Sequence, residues 1–167
     1  MMINKSKDVV DIAFSSAILV ALQVSLSFLP NIELVSFLFI IYGLVFNLQK
    51  NIAISFVFVT LQMLIWGAGD WVIGYYWIWA LWVFIINLIK NINKDNYYLW
   101  AITNGLWGIL FGILFSINHG FFYGFGFSLV YWTKGLPFDM IHTISNYVIT
   151  VVVFKPVLTV FKKHYKR

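Results

Sequence analysis

The sequence predicts an all-α integral membrane protein, a single transmembrane domain of six helices in one compact bundle over residues 1–167. Two observations predict this class: 62% of the 167 residues are hydrophobic and 10% are charged, with a mean hydropathy of +0.88. A soluble fold of this length exposes too much of its surface to hide so much apolar area. Lipid removes the difficulty, so the composition indicates a multi-pass membrane protein.

Six apolar runs approach the length of about 20 residues that one helical crossing of the hydrocarbon needs. They cover residues 9–29, 32–48, 52–66, 71–89, 97–118 and 138–161. The second and third runs are short and are separated only by residues 49–51. On length alone, either of these two runs could instead belong to a re-entrant hairpin.

The distribution of basic residues favours six crossings with both chain ends in the cytoplasm. If the spans alternate from a cytoplasmic N-terminus, ten of the 11 Lys and Arg residues fall on the cytoplasmic side, and only Lys134 lies outside. Cytoplasmic loops carry this excess of positive charge. Removing any one span would destroy this division of basic residues between the two sides of the membrane.

Several function classes are excluded by what the sequence lacks. Its basic residues form short clusters between apolar runs, so no nucleic-acid face is expected. The Gly67–Gly69 turn has neither the preceding strand nor the following Lys-Ser/Thr of a phosphate-binding loop. With no Cys and no metal-ligand spacing among the three His residues, we expect no cofactor, no metal and no catalytic residue.

Small residues recur every four positions in the first predicted helix, at Ala13, Ala17, Ala21 and Ser25. At about 100° per residue they form one continuous ridge. Such ridges let helix backbones approach closely in lipid. The ridge therefore packs either within this protein's own bundle or against another membrane subunit.

A polar stripe on the sixth predicted helix indicates a cavity. The side chains of Asp139, His142, Thr143, Asn146 and Thr150 fall within about 100° of one another on a helical wheel. Polar groups at this depth are costly in lipid and face a bundle interior. The two Thr hydroxyls can bond to their own helix, which leaves His142 and Asn146 as the candidate ligand contacts.

Aromatic residues share one face of the fourth predicted helix, at Trp71, Tyr75, Trp79 and Trp82. Trp79 and Trp82 lie roughly 12–17 Å below Trp71 at about 1.5 Å per residue, too deep for headgroup anchoring. Large rings at that depth fill the core or wall a pocket for a flat ligand. We assign Trp79 to the pocket and Trp82 to the core.

The predicted outer side adds further candidates. Asn104 lies on the fifth helix, and the segment 119–136, which begins with His119, is rich in glycine and aromatic residues and predicts a long loop or lid. Glu33 and Asp70 stand beside helix starts, where they can cap the helices. With Asp139 they give the outer mouth a negative character.

These features together resemble one known family, the substrate-binding S components of energy-coupling factor (ECF) transporters. The resemblance covers nearly the whole chain. It consists of six short spans, the alanine ridge, and the segments Leu29–Phe46, Trp66–Val83 and Gly135–Leu158.

The resemblance implies a capture subunit of the bacterial plasma membrane, without catalytic activity, that binds a vitamin or vitamin precursor at its outer side. Its partners would be a membrane scaffold subunit and two cytoplasmic ATPases, with Ala13, Ala17 and Ala21 as the docking ridge. The candidate substrate-binding residues are Glu33, Asp70, Trp71, Tyr75, Trp79, Asn104, His119, His142 and Asn146.

The predicted outer half, rich in aromatic and poor in cationic residues, favours a flat heteroaromatic ligand that is neutral or weakly basic. Two alternatives to a transport subunit stay open. One is a membrane enzyme that uses His142 and Asp139 as an acid–base pair. The other is a non-catalytic scaffold with no pocket, in which all the aromatic residues lie in the core.

Overall fold

The computed structural model describes residues 5–165, which form six helices and no strand. The all-α class is confirmed. The sequence predicts six spans; five of the helices are long and apolar enough to cross a membrane, whereas the second has only 11 residues. The helices are α1 (Lys5–Ser25), α2 (Val35–Val45), α3 (Leu48–Trp66), α4 (Asp70–Asn93), α5 (Tyr97–Tyr123) and α6 (Phe125–Tyr165).

Helix α2 is shorter than the predicted span 32–48 because turns occupy both ends of that run. Asn31 has a positive φ of 57° before the helix, and Asn47 caps the start of α3 by accepting a hydrogen bond from the Lys50 amide. The 11 residues of α2 are about 17 Å long. Every residue from Val35 to Gly43 is buried, as expected of a helix that is apolar on all sides. This helix is therefore enclosed by protein.

The predicted outer loop over residues 119–136 is wrong, because this segment is helical. Helix α5 continues to Tyr123, Gly124 turns the chain with a φ of 86°, and α6 follows directly. Ser116 and Ser128 exchange hydrogen bonds of 2.8 Å across the resulting hairpin, each hydroxyl donating to the other's carbonyl. The glycines at positions 120, 126 and 135 lie inside helices and do not break them.

The hairpin of α5 and α6 stays closely packed towards its other end. A Cβ at Gly108 would lie 2.6 Å from the Thr143 amide nitrogen, so only glycine allows the two backbones to approach this closely. The Asn104 amide donates to the Thr150 hydroxyl at 3.0 Å. This hairpin is one rigid wall of the bundle.

Ion pairs hold together the end of the bundle at which both described chain ends lie. The Lys50 ammonium group lies 2.8 Å from the Asp11 carboxylate and also pairs with Asp8. At the same end the Tyr165 ring lies 4.9 Å from the Phe46 ring. We call this the terminal end. The opposite, cavity end carries the α1–α2 and α3–α4 connections and the hairpin turn.

Candidate ligand-binding site

A cavity of about 370 Å³ lies at the cavity end, between the α1–α2 connection and helices α1, α3, α4, α5 and α6. We call it cavity 1. Its lining combines aromatic rings with amide, carboxylate and imidazole groups, the mixture typical of a small-molecule site. Its lining residues are Gln23, Leu26, Ser27, Leu29, Pro30, Asn31, Ile32, Glu33, Gln62, Trp66, Trp71, Tyr75, Trp79, Phe111 and His142.

Helix α4 supplies the aromatic wall of cavity 1. Trp71, Tyr75 and Trp79 follow one another at intervals of four residues, which places them on one helical face. The Trp71 and Tyr75 ring centroids are 5.2 Å apart, and the Trp79 centroid lies 5.2 Å from that of Phe111 on α5. Trp82 lies behind this wall, stacked on Trp107 in the core. The wall offers ring faces and edges to a flat ligand.

Glu33 and His142 form the charged side of cavity 1. The Glu33 carboxylate lies 3.1 Å from His142 Nε2 and accepts a 2.8 Å hydrogen bond from the Ser36 amide at the start of α2. Burial raises the pKa of the Glu33 carboxyl, but the hydrogen bonds and charge of His142 and the hydrogen bonds from Ser36 outweigh burial and hold this pKa below its ordinary value. The carboxylate is therefore ionised, and it joins the α1–α2 connection to α6.

Two buried hydrogen-bond donors in the lining of cavity 1 have no partner among the described residues. They are the Gln62 amide nitrogen and the Trp79 indole nitrogen, and both side chains are 2% exposed. Nearly all buried polar groups in folded proteins are hydrogen-bonded. Two such donors beside one cavity are suited to a ligand with acceptor atoms, such as a carbonyl oxygen or a ring nitrogen.

Four of the predicted site residues lie outside the lining of cavity 1. Asn104 and Asn146 are fully buried between α5 and α6, where each amide donates to the other helix. Asp70 and His119 pair at 3.1 Å between α4 and α5 at the cavity end. The other five predicted residues, Glu33, Trp71, Tyr75, Trp79 and His142, all line cavity 1.

The acid–base pair of the enzyme alternative does not form. The His142 ring bonds to Glu33, and one oxygen of the buried Asp139 carboxyl has no hydrogen-bond partner within residues 5–165. In the same range no group of three or more His, Asp or Glu side chains is placed to hold a metal ion. The scaffold alternative expects no pocket and all the aromatic residues in the core, whereas the structure has cavity 1, with aromatic rings in its lining.

Sequence reasoning missed Gln23, Asn31, Gln62 and Phe111 in the lining of cavity 1. A signal existed for the two glutamines, because each is an isolated polar residue within an apolar run. Phe111 carries no such signal, since it is one of 17 phenylalanines.

A second cavity of about 500 Å³ adjoins the first, and we call it cavity 2. It lies between the two arms of the α5–α6 hairpin and the α1–α2 connection. Asn31 and Phe111 line both cavities. The other residues of its lining are Gly112, Phe115, Phe127, Val130, Tyr131, Trp132, Lys134, Gly135, Phe138 and Asp139.

The alanine ridge of α1 lies on the outside of the bundle. Ala13, Ala17 and Ala21 are all exposed, while the opposite face of α1 packs on α3, where the Ser16 hydroxyl donates to the Ile54 carbonyl at 3.1 Å. The interpretation that this ridge packs within the protein's own bundle is therefore wrong. The ridge is free to contact lipid or another membrane protein.

Comparison of the chain with models of protein families, with curated proteins and with solved structures finds no match. The two cavities, the alanine ridge and the charge distribution are therefore the features that bear on function.

Proposed function

We propose that this chain is the S component of an ECF-type importer, a subunit that captures a vitamin or vitamin precursor and has no catalytic activity of its own. The observation that carries the proposal is cavity 1, a cavity at one end of an apolar helical bundle with an aromatic wall, an ionised carboxylate and two unpartnered donors. Unpaired buried donors are costly, and a ligand in cavity 1 would supply the acceptor atoms that these two donors lack. A binding protein gains affinity and specificity from such donors.

The lining of cavity 1 favours a flat heteroaromatic ligand that is neutral or weakly basic. None of the described residues that line cavity 1 is Lys or Arg, and the imidazole in its lining, His142, is already paired with Glu33. The rings of Trp71, Tyr75 and Trp79 provide stacking surfaces, and the Gln62 and Trp79 donors face acceptor atoms. A phosphorylated or polycarboxylate ligand would bring negative charge without a counter-ion.

The charge distribution supports a multi-pass orientation in the plasma membrane with both chain ends in the cytoplasm. Eight lysines of the described range lie at or near the terminal end, whereas Lys134 is at the cavity end. The positive-inside rule then puts cavity 1 on the outer side. In this proposal α2 is the sixth crossing, short because protein surrounds it.

The exposed alanine ridge supports docking onto a membrane scaffold subunit that works with two cytoplasmic ATPases. Ala13, Ala17 and Ala21 leave a smooth strip on the face of α1 that points away from the bundle. Helices approach most closely along such strips in lipid. The ridge and cavity 1 lie on different parts of the protein, so ligand capture and docking use separate surfaces.

The proposal is tested by purifying the protein in detergent, denaturing it and identifying released small molecules by mass spectrometry. A vitamin or precursor in stoichiometric amount is the expected result. An empty protein whose tryptophan fluorescence also fails to respond to a panel of vitamins would contradict the capture role.

A further inference from the structure

Cavity 2 is a separate compartment with its own boundary. Asn31 stands between the two cavities, where its side-chain amide donates to the Phe138 carbonyl at 3.0 Å and its own carbonyl accepts from the Ser145 hydroxyl at 3.0 Å. The Phe111 ring completes the boundary. The α1–α2 connection is thus fastened to α6 at the point where the cavities meet, and a ligand in cavity 2 contacts a largely different set of side chains.

The distinctive polar group of cavity 2 is the Asp139 carboxyl. Its side chain is 7% exposed, and its Oδ2 atom has no hydrogen-bond partner within the described range. No lysine, arginine or histidine of that range pairs with it. Gly112 makes room for this carboxyl, since a Cβ at position 112 would overlap both of its oxygens. A buried carboxyl kept without a partner is costly unless something binds to it.

The rest of the lining suits a positive charge. Six aromatic residues surround the space, and the face of an aromatic ring attracts organic cations. The single basic residue in the lining, Lys134, is exposed at the rim, where water and salt screen its charge. Asp139 is 7% exposed, so its charge is screened less than that of Lys134. The six rings are Phe111, Phe115, Phe127, Tyr131, Trp132 and Phe138.

We infer that cavity 2 is a binding site for an organic ammonium ion, with Asp139 as its counter-ion and the aromatic rings packed around its cationic group and carbon skeleton. The Trp132 indole nitrogen, which has no partner in the described range, donates to an acceptor atom of the same ligand. This site is separate from cavity 1 and does not depend on the proposed transport role.

The test compares three small probes of similar shape and different charge on the purified full-length protein: 2-phenylethylamine, 2-phenylethanol and 3-phenylpropionate. Calorimetry and tryptophan fluorescence measure the dissociation constants. The amine is expected to bind at least about tenfold more tightly than the alcohol and the anion, because only the amine pairs with the buried carboxyl. Equal binding of amine and alcohol, or no binding of the amine at millimolar concentration, overturns the inference.

Variants then locate the site. Asp139→Asn is expected to weaken amine binding at least about tenfold while leaving alcohol binding unchanged. Asp95→Asn is the matched control, because it removes an exposed carboxylate that pairs with Lys162 at the terminal end. Gly112→Ala is a second variant expected to weaken amine binding, because its methyl group displaces the Asp139 carboxyl without removing it. Amine affinity that survives both cavity variants contradicts the assignment.

The ammonium group could belong to a soluble amine or to a phosphatidylethanolamine headgroup. The amine titration is therefore repeated in phosphatidylethanolamine nanodiscs and in phosphatidylglycerol nanodiscs. Amine affinity that is equal in both assigns the site to a soluble ligand. The alternative outcome is that the amine binds more weakly in phosphatidylethanolamine nanodiscs than in phosphatidylglycerol nanodiscs. If Asp139→Asn removes this difference in affinity, the site is assigned to the headgroup. If Trp79→Ala abolishes vitamin binding to cavity 1 and leaves amine binding intact, the two sites are independent.

Discussion

The Lys50 cluster and cavity 2 both contain carboxyl groups inside an apolar bundle. They differ in whether a basic side chain pairs with those groups. At the terminal end, the Lys50 ammonium group, 14% exposed, lies between Asp8 and Asp11. At the cavity end, Asp139 is 7% exposed, the same as Asp11, and has no basic partner in the described range. The first arrangement is complete without any other molecule. The second leaves one carboxylate oxygen without a partner in the described range, and a bound cation would supply that partner.

The largest effect on stability is expected from Lys50→Met. This change leaves two carboxylates near each other without their counter-ion and should lower the free energy of unfolding by about 2–3 kcal/mol. Thermal denaturation in detergent measures it. The double variant Asp11→Asn/Lys50→Met should recover part of the loss, and a single variant as stable as the wild type would show that the cluster is not a structural ion pair.

Gln62→Leu should raise stability, in contrast to Lys50→Met, and should weaken ligand binding. Replacing the buried, unpartnered amide with an apolar side chain of similar size should raise the stability of the empty protein by up to about 1 kcal/mol. Affinity for a ligand of cavity 1 should fall about tenfold, because the ligand's acceptor atom loses its donor. The stability assay is the same as for Lys50, and the ligand is the one released on denaturation.

A control for this prediction is Gln49→Leu, a glutamine at the start of α3 at the terminal end. That variant should leave ligand affinity unchanged. If Gln62→Leu destabilises the empty protein instead, Gln62 has a structural role, and its unpartnered amide no longer supports a ligand in cavity 1.

A smaller effect is expected from acid through Glu33. The folded protein lowers the pKa of this carboxyl from its ordinary value of 4.5, so the ionised form stabilises the fold. That contribution is complete above the ordinary value and is lost as the pH falls through the lowered pKa of the folded state. Melting temperatures between pH 3 and pH 6 measure the loss, and the variant Glu33→Gln should be less sensitive to acid over this range than the wild type.

The smallest effect on the isolated protein is expected from Ala17→Trp on the exposed ridge. Ala17 is exposed, so stability and ligand affinity should both be unchanged. Co-purification with a co-expressed ECF scaffold and its ATPases should be lost, because the bulk of the Trp side chain prevents close helix approach. The neighbouring change Ile18→Val, on a partly buried position, is the control, and co-purification that survives Ala17→Trp would exclude this ridge as the docking surface.

The sequence predicted those parts of the site that depend on spacing within one helix. Trp71, Tyr75 and Trp79 share a face because helical geometry puts residues four apart on one side. The depth estimate grouped Trp79 with Trp82, and only the structure shows that Trp79 lines cavity 1 while Trp82 stacks on Trp107. Glu33 and His142 were each candidates, but their pairing joins residues 109 positions apart, and no local pattern indicates it.

The sequence could not predict cavity 2, because that cavity depends on the helical form of residues 119–136. Glycine and aromatic residues in alternation are compatible with a loop or with a close helical hairpin. The outcome was decided by contacts such as Ser116 with Ser128, which exist only after α5 and α6 meet. Asp139 was assigned to the outer mouth on its position in the chain, and its burial against Gly112 became visible only in three dimensions.

Helix α6 has 41 residues and is therefore about 60 Å long, twice the roughly 30 Å thickness of the hydrocarbon layer. Much of the excess is at the hairpin tip, where Phe121 and Phe125 are 84% and 82% exposed. Bilayer thickness therefore determines whether these rings stand in water or sink among the headgroups. If dissolved ligands enter the cavities at this end, a thick membrane that covers the hairpin tip should slow their entry, and a thin membrane should leave the tip open to water.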